Sequence, residues 1–283
     1  MLPAFLVLQA CGGEPNAGTP GDESGCTGSN GYGTLSTDSY GIRAYLPDNY
    51  SPEQKYPTVV SLAGWTNDAD KHNGFLNLDE YAAEKGYILL LPSNSSTVTF
   101  GWNLNSPVEG YEGLLEDLKG QRGNTSCPGR SFDGRSMDLN RVVVAGHSAG
   151  ARAAYMIAAA ETSHPPVGVV AFAGDGAGSD LTGGSTEHDR AAAPTFLIHI
   201  HGTGDGVVNY SGGERTFEAY YKDVNSCSGR ADSSVTRSTT VTEGNGCSRP
   251  TSFFSIRGGA HEMDLDRQGV MGPVVDKMLS NLR

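Results

Sequence analysis

The stretch from Arg141 to Glu161 constrains the fold of this chain most. Arg141-Val142-Val143-Val144-Ala145 is a near-continuous apolar, β-branched run of the kind found in strands covered on both faces. Gly146-His147-Ser148-Ala149-Gly150 follows at once, and the alanine-rich residues from Ala149 to Glu161 are strong helix formers. A buried strand that turns directly into a helix belongs in a sheet of parallel strands with crossover helices. The same alternation recurs from about residue 41 onward. Strands are expected at Ile42–Leu46, Thr58–Leu62, Tyr87–Leu91, Arg141–Ala145, Val167–Ala173, Pro194–Ile200 and Thr251–Ile256. Helical spacing covers Phe75–Lys85, Tyr111–Lys119, Ala149–Glu161, Gly213–Val224 and Asp264–Leu282. The expectation is an α/β protein with a mostly parallel, doubly wound sheet and helices on both faces. There is no internal repeat and no sign of a second core, and residues 121–136 and 174–192 read as polar, Gly-rich loops.

The pentapeptide around Ser148 matches G-x-S-x-G, the nucleophile elbow of the α/β-hydrolase fold, and it stands between strand and helix as that elbow must. A residue strained at such a turn needs small neighbours two positions either side, which Gly146 and Gly150 supply. Ser148 would then stand at a helix amino terminus, where the backbone N–H of Ala149 and the helix dipole can stabilise an oxyanion. Serine needs a general base. Of the seven histidines only His261 lies beyond the last long apolar strands, following Thr251–Ile256 on the flexible Gly258-Gly259-Ala260. A metal site at His261-Glu262-Met263-Asp264 fails because no second histidine stands at H-E-x-x-H spacing. For the acid, Asp205 ends the loop His201-Gly202-Thr203-Gly204-Asp205 after the strand Pro194–Ile200, where ligands gather in open α/β sheets. Asp175, after the preceding strand, competes for the role. The loop Ala63-Gly64-Trp65 after Thr58–Leu62 offers the Trp65 N–H as a second oxyanion donor. The indoles of Trp65 and Trp102, with His147 beside the nucleophile, are expected to contact substrate. Neither a metal nor an organic cofactor is implied.

The ends and the cysteines suggest export. Met1 to Ala10 is an apolar run that stops at Cys11, and Leu8-Gln9-Ala10-Cys11 resembles a bacterial lipobox, although no positively charged segment precedes it. The expected organisation is a signal-like segment at 1–11 with a lipid anchor on Cys11, a tether at 12–30, and a catalytic domain at 31–283. Cys26, Cys127, Cys227 and Cys247 remain, an even number that favours two disulfides in an exported protein. Cys227 to Cys247 is preferred because it closes the polar excursion Ser228–Gly246, which could hardly order itself; Cys26 to Cys127 is left. The formal net charge of −12 opposes binding to nucleic acid or anionic lipid and suits a neutral substrate.

From residue 41 to the end the chain resembles the exported esterases that include polyhydroxybutyrate depolymerases, feruloyl esterases and acetylxylan esterases. The residues that carry the resemblance are Leu62-Ala63-Gly64-Trp65, the lead from Asp138 to Arg141 into the elbow, and His201-Gly202-Thr203-Gly204-Asp205-Gly206-Val207-Val208. By this resemblance the family's serine, carboxylate and histidine fall on Ser148, Asp205 and His261. The chain departs from the family at Ala63, where histidine is usual, at Gly206, where proline is usual, and after His261, where a tryptophan is missing. What the resemblance implies is a monomeric serine esterase, secreted or held at a bacterial cell surface. Its substrate would be a small or polymeric neutral ester, either a polyester or an acyl or feruloyl group on polysaccharide. A prolyl oligopeptidase-like peptidase and a non-catalytic surface lipoprotein are the competing readings.

Overall fold

A computed structural model describes residues 32–36, 41–65, 69–93, 106–124, 131–176 and 194–283. The lipobox-like segment, the tether, Cys11, Cys26, Cys127 and Trp102 lie outside the described residues. In chain order the elements are β1 (Tyr32–Ser36), β2 (Gly41–Tyr45), β3 (Tyr56–Leu62), α1 (Ala69–Leu76), α2 (Leu78–Lys85), β4 (Ile88–Ser93), α3 (Pro107–Lys119), β5 (Arg122–Asn124) and β6 (Ser131–Asp133). There follow β7 (Met137–His147), α4 (Ala149–Ala159), β8 (Gly168–Phe172), β9 (Phe196–Gly202), α5 (Tyr210–Ala219), β10 (Gly229–Ser234), β11 (Thr239–Asn245), β12 (Thr251–Ile256) and α6 (Met271–Ser280).

The main sheet runs β1-β2-β4-β3-β7-β8-β9-β12-β11-β10. Its centre, from β4 to β12, is parallel, and antiparallel pairs extend it on both sides. Because successive side chains on a strand face opposite ways, the apolar run of β7 serves two cores. Val142 and Val144 pack with Leu114 and Leu118 of α3, Ala154 of α4 and Phe217 of α5. Val143 and Ala145 pack with Leu76 of α1, Ala82 of α2 and Val274 and Met278 of α6 on the other face. All the central strands therefore end at the same edge of the sheet, and the loops that leave them meet there.

Four expectations are corrected. The stretch Phe75–Lys85 holds the end of α1 and all of α2, broken at Asn77, whose φ of 53° cannot continue a right-handed helix. The closing helix begins at Met271 rather than Asp264. Residues 121–136 are not simply loop: β5 and β6 pair antiparallel and a 3₁₀ turn follows at Gly134–Ser136. The excursion Ser228–Gly246 is an ordered hairpin, β10 and β11, because Thr239 and Val241 face the core and β11 pairs with β12. The Cys227–Cys247 disulfide joins the ends of that hairpin.

Candidate active site

The turn from β7 into α4 is as tight as glycine allows. A Cβ on Gly146 would lie 2.3 Å from the carbonyl carbon of Gly150, and one on Gly150 would lie 2.1 Å from the Leu62 carbonyl oxygen of β3. Helix and strands thus approach each other through bare backbone, and the residue between absorbs the reversal. Ser148 does so with φ 56° and ψ −119°, a conformation that costs on the order of 1–3 kcal/mol in a non-glycine residue. Its N–H is engaged, donating to the Phe172 carbonyl at 2.9 Å. The side chain is partly exposed at the open edge of the sheet. Ala149 opens α4, where backbone N–H groups have no acceptor within the helix. The loop after β3 abuts the serine, since a Cβ on Gly64 would lie 3.2 Å from Ser148 Cβ. Trp65 follows on that loop, with 59% of its surface exposed.

Asp205 stands beyond β9 and His261 beyond β12, and these strands are parallel neighbours. His261 Nδ1 donates to Asp205 Oδ2 at 2.8 Å. The other carboxylate oxygen, Oδ1, accepts from the N–H groups of Val207 at 2.8 Å and Val208 at 2.9 Å. Burial pushes the Asp205 carboxyl up, but the hydrogen bonds from His261, Val207 and Val208 outweigh it and hold the group below the usual aspartate range. An ionised Asp205 fixes His261 with its proton on Nδ1, which leaves Nε2 as the basic nitrogen. Asp175, the competing acid, lies instead against α5, where a Cβ on Gly212 would come 2.9 Å from its Oδ2.

His147 sits differently from its expected role as a substrate contact. It is 2% exposed, and its Nε2 donates to the His261 backbone carbonyl at 2.9 Å. Burial holds its pKa at about 4 despite that hydrogen bond, so the ring is neutral and clamps the His261 loop from beneath. Under the neighbouring loop, Ser61 Oγ of β3 and His72 Nε2 of α1 are 2.8 Å apart. Burial, aided by the neighbouring His147, lowers the His72 pKa to about 3. His201 was read only as part of the loop that presents Asp205. In the structure its Nε2 lies 3.3 Å from Asp205 Oδ2, with neither side chain exposed. The signal that could have found it is the pair His199 and His201 on β9, whose period of two puts both rings on one face of the strand.

Sheet order, helices on both faces and a serine in a left-handed turn between β7 and α4 define an α/β-hydrolase fold. No protein-family model matches the chain. Over 193 residues, 68% of its length, it is 24% identical to a bifunctional acetylxylan esterase/xylanase of Neocallimastix patriciarum, and the match spans 25% of that protein. Among solved structures, the acetyl xylan esterase of Aspergillus awamori superposes with a TM-score of 0.60 at 13% identity, covering 85% of this chain and 98% of that one. The propionate-bound esterase Est2 of Thermogutta terrifontis gives 0.56 at 14% identity over 85% and 89%. A putative dipeptidyl aminopeptidase IV of Bacteroides ovatus gives 0.57 at 17% identity over 88% of this chain and 35% of its own. At these identities the solved structures show a common fold.

Proposed function

We propose that this chain is a serine carboxylic ester hydrolase, with Ser148 as nucleophile, His261 as general base and Asp205 as the carboxylate that orients it. The observation that carries the reading is the His261–Asp205 hydrogen bond at the sheet edge that also presents a strained Ser148. His261 Nε2 takes the Ser148 hydroxyl proton as Oγ attacks the ester carbonyl. The oxyanion is met by the N–H groups of Ala149 and Trp65. Collapse expels the alcohol, protonated by His261, and water then clears the acyl-enzyme by the same route in reverse. Every proton moves between Ser148, His261, the substrate and the incoming water.

The substrate is proposed to be a neutral acyl ester on a carbohydrate. Similarity to a bifunctional acetylxylan esterase/xylanase over 68% of the chain supports that class, and the exposed Trp65, next in sequence to the Gly64 that abuts Ser148, offers a flat apolar ring on which a sugar can stack. The Cys227–Cys247 disulfide fits an oxidising compartment and hence export. A second reading, peptide hydrolysis, draws on the fold shared with the Bacteroides ovatus protein.

Purified chain and Ser148→Ala should be compared on acetylated xylan, on p-nitrophenyl acetate, butyrate and octanoate, on methyl ferulate and on a dipeptide p-nitroanilide. The proposal expects ester turnover, greatest for acetyl groups and abolished by the substitution. Turnover of the anilide alone would replace it with the peptidase reading, and no turnover by a folded protein would remove both.

A further inference from the structure

Behind the Asp205 carboxylate runs a line of buried polar rings that the reaction as written does not use. Tyr155 belongs to α4, and His199 and His201 belong to β9; all three are 0% exposed. Tyr155 Oη and His199 Nδ1 are 2.5 Å apart, His199 Nε2 and His201 Nδ1 3.1 Å. His201 Nε2 then reaches both the Val208 carbonyl at 3.0 Å and Asp205 Oδ2 at 3.3 Å. The two imidazoles lie nearly parallel, 8° apart. Gly213 of α5 covers the bond between them: a Cβ there would lie 2.3 Å from His201 Nδ1 and 2.7 Å from His199 Nε2. The bare helix backbone thus seals the pair from water.

The acceptors fix where each proton sits. A carbonyl and an ionised carboxylate can only accept, so His201 Nε2 carries hydrogen. In the neutral ring Nδ1 then accepts from His199 Nε2–H, and His199 Nδ1 accepts the Tyr155 hydroxyl. Every bond points towards the Val208 carbonyl, beside Asp205. Charges facing the line are Asp205, His261 and Asp175 around His201, and Asp175 with the Tyr220 phenol around Tyr155. Burial drives both imidazoles below the usual histidine range, and outweighs the pull of the carboxylates on His201.

We propose that Tyr155, His199 and His201 are positioning residues: a one-way hydrogen-bond relay that ends on the Val208 carbonyl and so fixes the turn whose Val207 and Val208 N–H groups hold the Asp205 carboxylate towards His261. Oδ2 accepts from His261, with the His201 ring 3.3 Å away, while Oδ1 is pinned by the N–H groups of Val207 and Val208. The carboxylate cannot rotate without breaking three bonds. The relay also keeps the inner imidazole neutral, so the proton taken from Ser148 resides on His261. A charged His201 would reverse each bond up to Tyr155 and set a second cation against the same carboxylate oxygen.

This inference rests on the ester-hydrolase reading, and its test has one arm that does not. In the full chain with labelled imidazole nitrogens, NMR at about pH 8 should find His199 and His201 protonated on Nε2 alone, with any titration falling below the usual histidine value near 6.5. A proton on Nδ1 of His201 at that pH, or titration at or above the usual value, would overturn the relay whether or not the protein cleaves esters. The second arm measures p-nitrophenyl acetate turnover. His201→Leu should lower kcat by about 5- to 50-fold with KM within about twofold, as expected when the buried Val208 carbonyl is left without its donor. His201→Gln, whose amide N–H reaches the position of Nε2, should recover most of the loss. Tyr155→Phe, which removes one hydroxyl at the far end, should cost about 3- to 10-fold. Variants with lowered melting temperature but wild-type kcat would reduce these residues to a structural role. If His201→Leu fails to fold, the glutamine and phenylalanine variants decide the matter. A folded wild type without esterase activity would sink the ester reading and leave the NMR arm standing.

Discussion

Replacing Asp205 by Asn separates orientation of the base from everything else the carboxylate does. The amide oxygen can take the place of Oδ1 and keep the bonds from Val207 and Val208 at 2.8 and 2.9 Å. The amide nitrogen then replaces Oδ2 and faces His261 Nδ1 at 2.8 Å and His201 Nε2 at 3.3 Å, so donor meets donor. His261 relieves the conflict by moving its proton to Nε2, and in that tautomer it cannot accept the Ser148 proton. A wrong-tautomer triad loses about 10⁴ in kcat, or roughly 5.5 kcal/mol of transition-state stabilisation at about 1.4 kcal/mol per decade. Asp175→Asn, altering a carboxylate that lies against α5 and meets the histidine line only through its charge, should keep kcat within about threefold. Steady-state kinetics on p-nitrophenyl acetate, with melting temperatures for both variants, make the comparison. A loss below tenfold for Asp205→Asn, or an equal loss for Asp175→Asn, would refute the assignment of the acid.

The buried histidines should make the protein acid-labile. His72 and His147 are held to about 3 and about 4 in the fold, below an unfolded value near 6.5. The stability they contribute is complete above about pH 6.5 and is lost as pH falls towards the folded values. At pH 5 each gives up about 2 kcal/mol, and denaturant unfolding at pH 7 and 5 should show it; equal stability at the two values would contradict the burial. Replacing Cys227 and Cys247 together by Ser opens a crosslink between residues 20 apart, which should cost at most about 3 kcal/mol and lower the melting temperature by roughly 6–12 °C, as calorimetry would register. Gly64→Ala puts a methyl 2.9 Å from His147 Nδ1 and 3.2 Å from Ser148 Cβ. It should lower kcat by on the order of tenfold or more through the displaced oxyanion loop, with little change in KM; unchanged kcat would remove that loop from the site.

How far the sequence could be read follows from where its information is local. Arg141-Val142-Val143-Val144-Ala145 and the alanines after Ser148 carry strand and helix in their own composition, and the structure has β7 and α4 there. The centre of the sheet was legible for the same reason, since buried parallel strands are continuous apolar runs. The hairpin β10–β11 was not. Its residues are mostly Ser, Thr, Gly and charged side chains, and what orders it is pairing with β12 and the crosslink at its base, both non-local. The break at Asn77 was equally hidden, because the apolar spacing continues across it and only the φ of 53° separates α1 from α2. At the candidate site, Ser148, Asp205 and His261 could be placed from chain order and strand ends. The clamp from His147 to the His261 carbonyl depends on how distant strands come together, which no spacing along the chain encodes, whereas the contact of His201 with Asp205 four residues on is local and was signalled by the His199 and His201 pair on β9.

The central claim is that Ser148 is the nucleophile of an ester hydrolase. Incubation of the full chain with a fluorophosphonate, followed by intact mass and peptide mapping, tests it most directly. The account predicts one adduct, on Ser148, formed in step with loss of p-nitrophenyl acetate turnover and much more slowly in His261→Ala. A folded protein that acquires no adduct, or acquires it on another residue while turnover disappears, would contradict it.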